Sequence, residues 1–90
     1  MPINIYEAGS YKNIAYISND HWELPIQMEE LEKWLNTIGS ELSKGKYVAD
    51  IAFDIRKDAT GGGAVINSYM INALSKIGME IYLSEYPKNK

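Results

Sequence analysis

The chain contains no cysteine. That excludes a disulfide framework and any thiolate metal site, and it suits a reducing compartment. Proline is scarce, with three residues, and only one histidine, His21, is present. No apolar run approaches the roughly 20 residues that span a bilayer. The start, Met-Pro-Ile-Asn-Ile-Tyr-Glu, lacks the basic flank and long apolar stretch of a signal peptide. The expectation is a soluble cytoplasmic protein that does not engage a membrane.

Positive charge is also thin where it would be needed to hold a polyanion. Residues 1–43 carry two bases against seven acids, a balance of −5, whereas residues 44–90 carry seven bases against five acids, +2. Between Asp20 and Glu32 there are five acids and no base. Nucleic-acid binding draws its affinity from a basic face, so the charge argues for no nucleic acid and, if anything, for a basic protein partner. Acids at a helix start also suit the helix dipole without any partner.

What is present is a regular alternation of patterns over 90 residues, enough for one domain spanning 1–90. Ile3–Tyr6 and Asn13–Ile17 are rich in β-branched and aromatic residues and flank Ala-Gly-Ser, which predicts a hairpin. His21–Leu24 is a further short strand or an ordered loop, and Pro25 suits the first turn of a helix. From Gln27 the period changes: Met28, Leu31, Trp34, Leu35, Ile38 and Leu42 share a helical face. The stripe predicts a helix to about Ser43, weakened at Gly39 and closed by Gly45.

Tyr47–Arg56 is the clearest strand. Tyr47, Ala49, Ile51, Phe53 and Ile55 point one way, and Val48, Asp50, Ala52, Asp54 and Arg56 the other. A second helix, capped by Asn67 or Ser68, has Ile66, Met70, Ala73, Leu74 and Ile77 as its stripe and Gly78 as its stop. Met79–Tyr86 is a last strand with Met79, Ile81 and Leu83 inward, and Pro87 with the basic tail ends the fold. The order ββαβαβ predicts an α+β domain: a single sheet of about four strands with two helices packed on one face.

The run Asp58-Ala-Thr-Gly-Gly-Gly-Ala-Val-Ile-Asn67 invites a test for phosphate binding. A P-loop needs a lysine directly after its glycines, and a dinucleotide loop must open straight into its helix. Here no lysine follows Gly61–Gly63, and Ala64-Val65-Ile66, buried or extended, separates the glycines from the helix. A turn is the better reading.

Other chemistry is equally sparse. Asp20, His21 and Glu23 make a weak metal set. Asp50 and Asp54, four residues apart on one strand, are about 13 Å apart, too far for paired carboxylates. No nucleophile, base and orienting group converge, so neither a catalytic residue nor a cofactor or metal is expected.

Two acidic surfaces remain as candidates for binding a partner. One is Glu23, Glu29, Glu30 and Glu32 near the first helix; the other is Asp50, Asp54, Glu80 and Tyr82 on the sheet. Tyrosine anchors interfaces well because it buries much area for little lost entropy. The sequence does not choose between the two surfaces. A self-associating module, with Ile3–Tyr6 as an edge that pairs two copies into a homodimer, is the alternative.

From Met28 to Tyr86 the chain resembles a bacterial domain family of unknown function. The resemblance rests on Leu31 to Leu42, Ile51 to Ile55, Gly61 to Gly63 and "INALSKIGMEIYLSEY" from Ile71 to Tyr86, with Leu74 and Gly78 within it. Trp22 in "HWEL" is similar to a tryptophan before the family's first helix. The resemblance implies an α+β fold without established catalytic residues. Small acidic proteins of this sort look like the immunity proteins encoded beside bacterial toxins, so the implied partner is a cognate toxin domain with a basic surface.

Overall fold

The computed structural model describes residues 2–55 and 63–86. Gly61 and Gly62, Arg56 and the tail from Pro87 lie outside the described residues. The elements are β1 (Ile3–Glu7), β2 (Asn13–Ile17), α1 (Leu24–Asn36), β3 (Tyr47–Asp54), α2 (Ser68–Ile77) and β4 (Met79–Tyr86). They form one four-stranded sheet in the order β2-β1-β3-β4. β1 is antiparallel to both β2 and β3, and β4 runs parallel to β3. A parallel neighbour needs a crossover, and α2 provides it.

Period-2 alternation sends Ile3, Ile5, Ala49 and Ile51, all fully buried, to one face of the sheet. Both helices lie on that face. Met28, Leu31, Trp34 and Leu35 of α1 and Met70, Leu74 and Ile77 of α2 complete a single core with them. The other face carries no helix among the described residues.

α1 starts earlier and stops sooner than its apolar stripe predicts. Pro25 occupies its first turn. At the far end Thr37 leaves helical geometry, and its hydroxyl donates to the carbonyls of Lys33 at 2.9 Å and Trp34 at 3.3 Å. Gly39 then folds back against the indole of Trp34, so closely that a Cβ there would lie 2.8 Å from a ring carbon. The chain continues as a 3-10 turn, Gly39–Glu41. Leu42 still packs against the core, but from this turn, and Ile38 is 60% exposed.

α2 follows its predicted signals more closely. Asn67 is the cap, its Oδ1 accepting from the Met70 N–H at 2.9 Å. Gly78 ends the helix in the left-handed region, φ 82°. It also sits against the backbone of Gly45, whose carbonyl oxygen occupies the space a Cβ would need. Ile66, expected in the stripe, is exposed, as are Ala64 and Val65. They lie ahead of the helix, where the core does not reach.

One further expectation changes, and one alternative is decided. Ile3–Tyr6 is no edge: β1 lies between β2 and β3, and the edges are β2 and β4. Of the two readings of His21–Leu24, the loop holds for His21–Glu23, and it is tied to β3 by the Trp22 carbonyl, which accepts from the Asp54 N–H at 3.0 Å.

A tyrosine-rich acidic sheet face

The uncovered face is built by the second set of alternating positions. Cross-strand pairing arranges it in rows. Tyr16, Asn4, Asp50 and Tyr82 stand side by side across β2, β1, β3 and β4. Beside them run Asn13, Tyr6, Val48 and Glu80. Asp54 pairs with Tyr86 at the far end. Val48 is buried even though it belongs to this face, because it is flanked by Tyr6 and Glu80.

Tyr16, Tyr82 and Tyr86 are each about half exposed. Tyr11, in the hairpin turn, packs on Tyr6 with ring centroids 5.8 Å apart. Trp22 meets Tyr86 edge-on at 6.1 Å. Five of the seven tyrosines in the chain therefore gather here. Asn4, Tyr16, Asp50, Ala52 and Tyr86 line a shallow hollow of about 200 Å³ in its middle.

Polar groups on the face hold one another in place. Ser84 donates to Asp50 Oδ1 at 2.7 Å, and Asn13 Nδ2 donates to Asn4 Oδ1 at 2.7 Å. Burial, and after it the Asp50 carboxylate, raises the Tyr6 phenol above its ordinary value of 10. Tyr6 is therefore a neutral hydroxyl at physiological pH, beside a carboxylate.

Among the described strand residues the charge of the face has one sign. Asp50, Asp54 and Glu80 are on it, and none of the four strands contains a lysine or arginine. Lys12 and Lys46 directly precede β2 and β3, at the hairpin end of the sheet.

The two surfaces left open by the sequence are thus unequal. Asp50, Asp54, Glu80 and Tyr82 share one face on two adjacent strands. The four helix acids do not gather on one face, although Glu29 and Glu32 line one cleft. At about 100° per residue, Glu32 lies on the flank of α1 toward α2, Glu30 on the opposite flank, and Glu29 between them on the outer surface. Glu32 accepts a hydrogen bond from Asn67 Nδ2 at 3.2 Å. Glu23 stands exposed at the amino end of α1 without a side-chain capping bond.

The sequence reading of the sheet surface omitted Asn4, Tyr6, Tyr11 and Tyr16. Their signal was the alternation within the hairpin, but its use required knowing that β1 lies beside β3.

The start of α2 is set against anions. Gly63, Ala64, Val65 and Asn67 share a cleft of about 320 Å³ with Glu29 and Glu32. Two carboxylates oppose a phosphate there, and Asn67 already caps the helix. Among the described residues no group of three His, Asp or Glu side chains is placed to hold a metal ion, and no helix is long and apolar enough to cross a membrane. No family model, curated protein or solved structure matches the chain.

Proposed function

We propose that the protein is a small acidic binding protein that docks a basic protein surface on the open face of its sheet. In this reading it is an immunity protein of the bacterial cytoplasm. It neutralises a cognate toxin domain, for instance a nuclease, by covering the Lys/Arg surface that the toxin uses on its own substrate.

The observation that carries the reading is a sheet face that, among the described residues, no helix covers and that bears five tyrosines, three acids and no strand-borne base. The tyrosines supply desolvated contact area at low entropic cost. The carboxylates steer a basic partner, speed association and disfavour acidic competitors. The hydrogen bonds from Ser84 and Asn13 fix the polar groups before the partner arrives, which lowers the cost of binding. Action is by occlusion, without bond-making by this chain.

The test is the product of the neighbouring toxin gene, measured against three forms of the protein. Reversing Asp50, Asp54 and Glu80 to lysine is expected to slow association by roughly tenfold or more and flatten its salt dependence. Reversing Glu23, Glu29 and Glu30 is expected to change little. If only the helix reversals weaken binding, the sheet face is the wrong surface. If the wild type neither binds nor protects cells, the immunity reading is wrong.

A further inference from the structure

The two edges of the sheet differ in how they are protected. β2 is five residues long, and Ile14 interrupts its register with β1 as an extra residue. Short length and a bulge are devices by which natural sheets guard an edge. β4 has eight residues and an unbroken register with β3, from Tyr47↔Met79 to Asp54↔Tyr86. It contains no lysine, proline or bulge.

The inward ladder shows which groups β4 leaves over. Ile55 N–H donates to the Tyr86 carbonyl at 3.1 Å, and Tyr47 N–H to the Gly78 carbonyl at 3.0 Å. In a parallel strand the N–H and C=O of one residue point to the same side. Even-numbered residues of β4 therefore bond to β3. Met79, Ile81, Leu83 and Glu85 point their N–H and C=O away from the sheet, with no strand beside them among the described residues.

Apolar side chains flank the same edge. Leu83 is 56% exposed although it points to the helix side. Ile71 on α2 is also 56% exposed. Tyr69, Asn72, Ala73 and Lys76 of α2 line the groove facing α1. The rotation of about 100° per residue then puts Ile71 on the opposite flank, over β4. Tyr82 and Glu80 stand at the edge on the open face.

We propose that β4 accepts an added strand from the partner: an extended segment that alternates apolar and basic residues. Its backbone bonds to the outward groups of Met79, Ile81, Leu83 and Glu85. Its apolar side chains cover Leu83 and Ile71, and its basic side chains lie toward Glu80 and the acids of the open face. Charge selects this occupant over a second copy, whose β4 would set one acidic face beside an identical one with no strand-borne base to offset it. The inference rests on the basic-partner reading above and adds the mode of docking.

The test is amide hydrogen exchange on the full chain, read residue by residue by NMR. The probe is a peptide of about eight residues alternating lysine and valine, with a glutamate–valine peptide as control. The lysine peptide is expected to slow exchange at Met79, Ile81, Leu83 and Glu85 by roughly tenfold, and the control to leave it unchanged. Leu83→Pro removes one outward donor, a change an edge strand tolerates on its solvent side, and should abolish the effect while β3 stays protected. Glu80→Lys, which leaves the backbone intact, should reverse the preference between the two peptides.

No protection at millimolar peptide overturns the proposal. So does protection that appears without peptide as the protein concentration rises, because a second copy then fills the edge. A toxin domain that binds Leu83→Pro as tightly as wild type would remove strand addition and leave the open-face reading standing. Peptide protection in a protein that binds no toxin domain would do the reverse.

Discussion

Ser84 on β4 donates its hydroxyl to the Asp50 carboxylate on β3 at 2.7 Å, across the uncovered face of the sheet. The bond ties the free edge strand to its neighbour and holds a charge at the centre of the proposed interface. Hydrogen bonds to ionised groups contribute about 1.5–3 kcal/mol, and less where water competes. Both residues are half-buried. Ser84→Ala is therefore expected to cost about 1 kcal/mol, read as a lower urea midpoint at unchanged slope. Asp50→Asn, which keeps an acceptor, should cost less. A larger loss for Asp50→Asn would mean that the charge, more than the hydrogen bond, holds β4 in place.

Gly78 and Gly9 both adopt positive φ, 82° and 93°, but only Gly78 is crowded. A side chain at Gly9 meets open space, so Gly9→Ala should cost only the backbone strain, about 1–2 kcal/mol. Gly78→Ala adds a collision with the Gly45 carbonyl, in a segment where Gly45 N–H donates to the Ile77 carbonyl at 3.0 Å. It is expected to cost at least about 3 kcal/mol. Denaturation of the two variants side by side checks this, and equal losses would remove the role given to the Gly45–Gly78 contact.

Gln27 is fully buried, and its Nε2 donates to the carbonyls of His21 at 2.8 Å and Ala52 at 2.7 Å. It fastens the segment before α1 to β3, although a polar residue at the start of an apolar stripe looks like a fault in the pattern. Gln27→Ala removes the donor to two part-buried carbonyls and leaves a cavity, and should cost about 1–3 kcal/mol. Gln27→Leu restores the volume but not the donors. Thermal denaturation that places Gln27→Leu at or above wild type would show that the two hydrogen bonds contribute nothing net.

Tyr6 carries a pH dependence with a definite sign. Its phenol titrates above the ordinary value of 10 in the fold, through burial first and the Asp50 carboxylate second. The unfolded chain therefore loses this proton at lower pH than the folded one. The associated stability is complete below pH 10 and is lost as pH rises through the folded value. Tyr6→Phe should flatten the alkaline limb of stability against pH while leaving neutral pH little changed. An unchanged limb would assign the alkaline loss to other groups.

The residues of α1 show how far local pattern reaches. The apolar spacing from Met28 to Leu42 is real, and Leu42 does pack on the core. The helix nevertheless ends at Asn36, because Gly39 must fold under the Trp34 ring. Spacing records which residues are buried, but not whether one continuous helix or a helix and a turn buries them. Leu83 illustrates the converse. Its alternation is correct and its side chain points to the helix side, yet it stays exposed, because β4 is the edge of the sheet and no strand lies beside it among the described residues.

The acids make the same point for the site. Asp50, Asp54, Glu80 and Tyr82 were legible as outward positions on two strands. Their union with Tyr6, Tyr16 and Asn4 depended on β1 inserting beside β3.

The chain alone determined its element order and the helix stop at Gly78, since these depend on neighbours a few positions apart. Tertiary structure decided that β1 is interior and β4 an edge, that Glu29 and Glu30 lie apart on α1, and that among the described residues no helix covers the second sheet face. Those outcomes follow from contacts between distant segments, where pairing and burial across the whole domain outweigh any local preference.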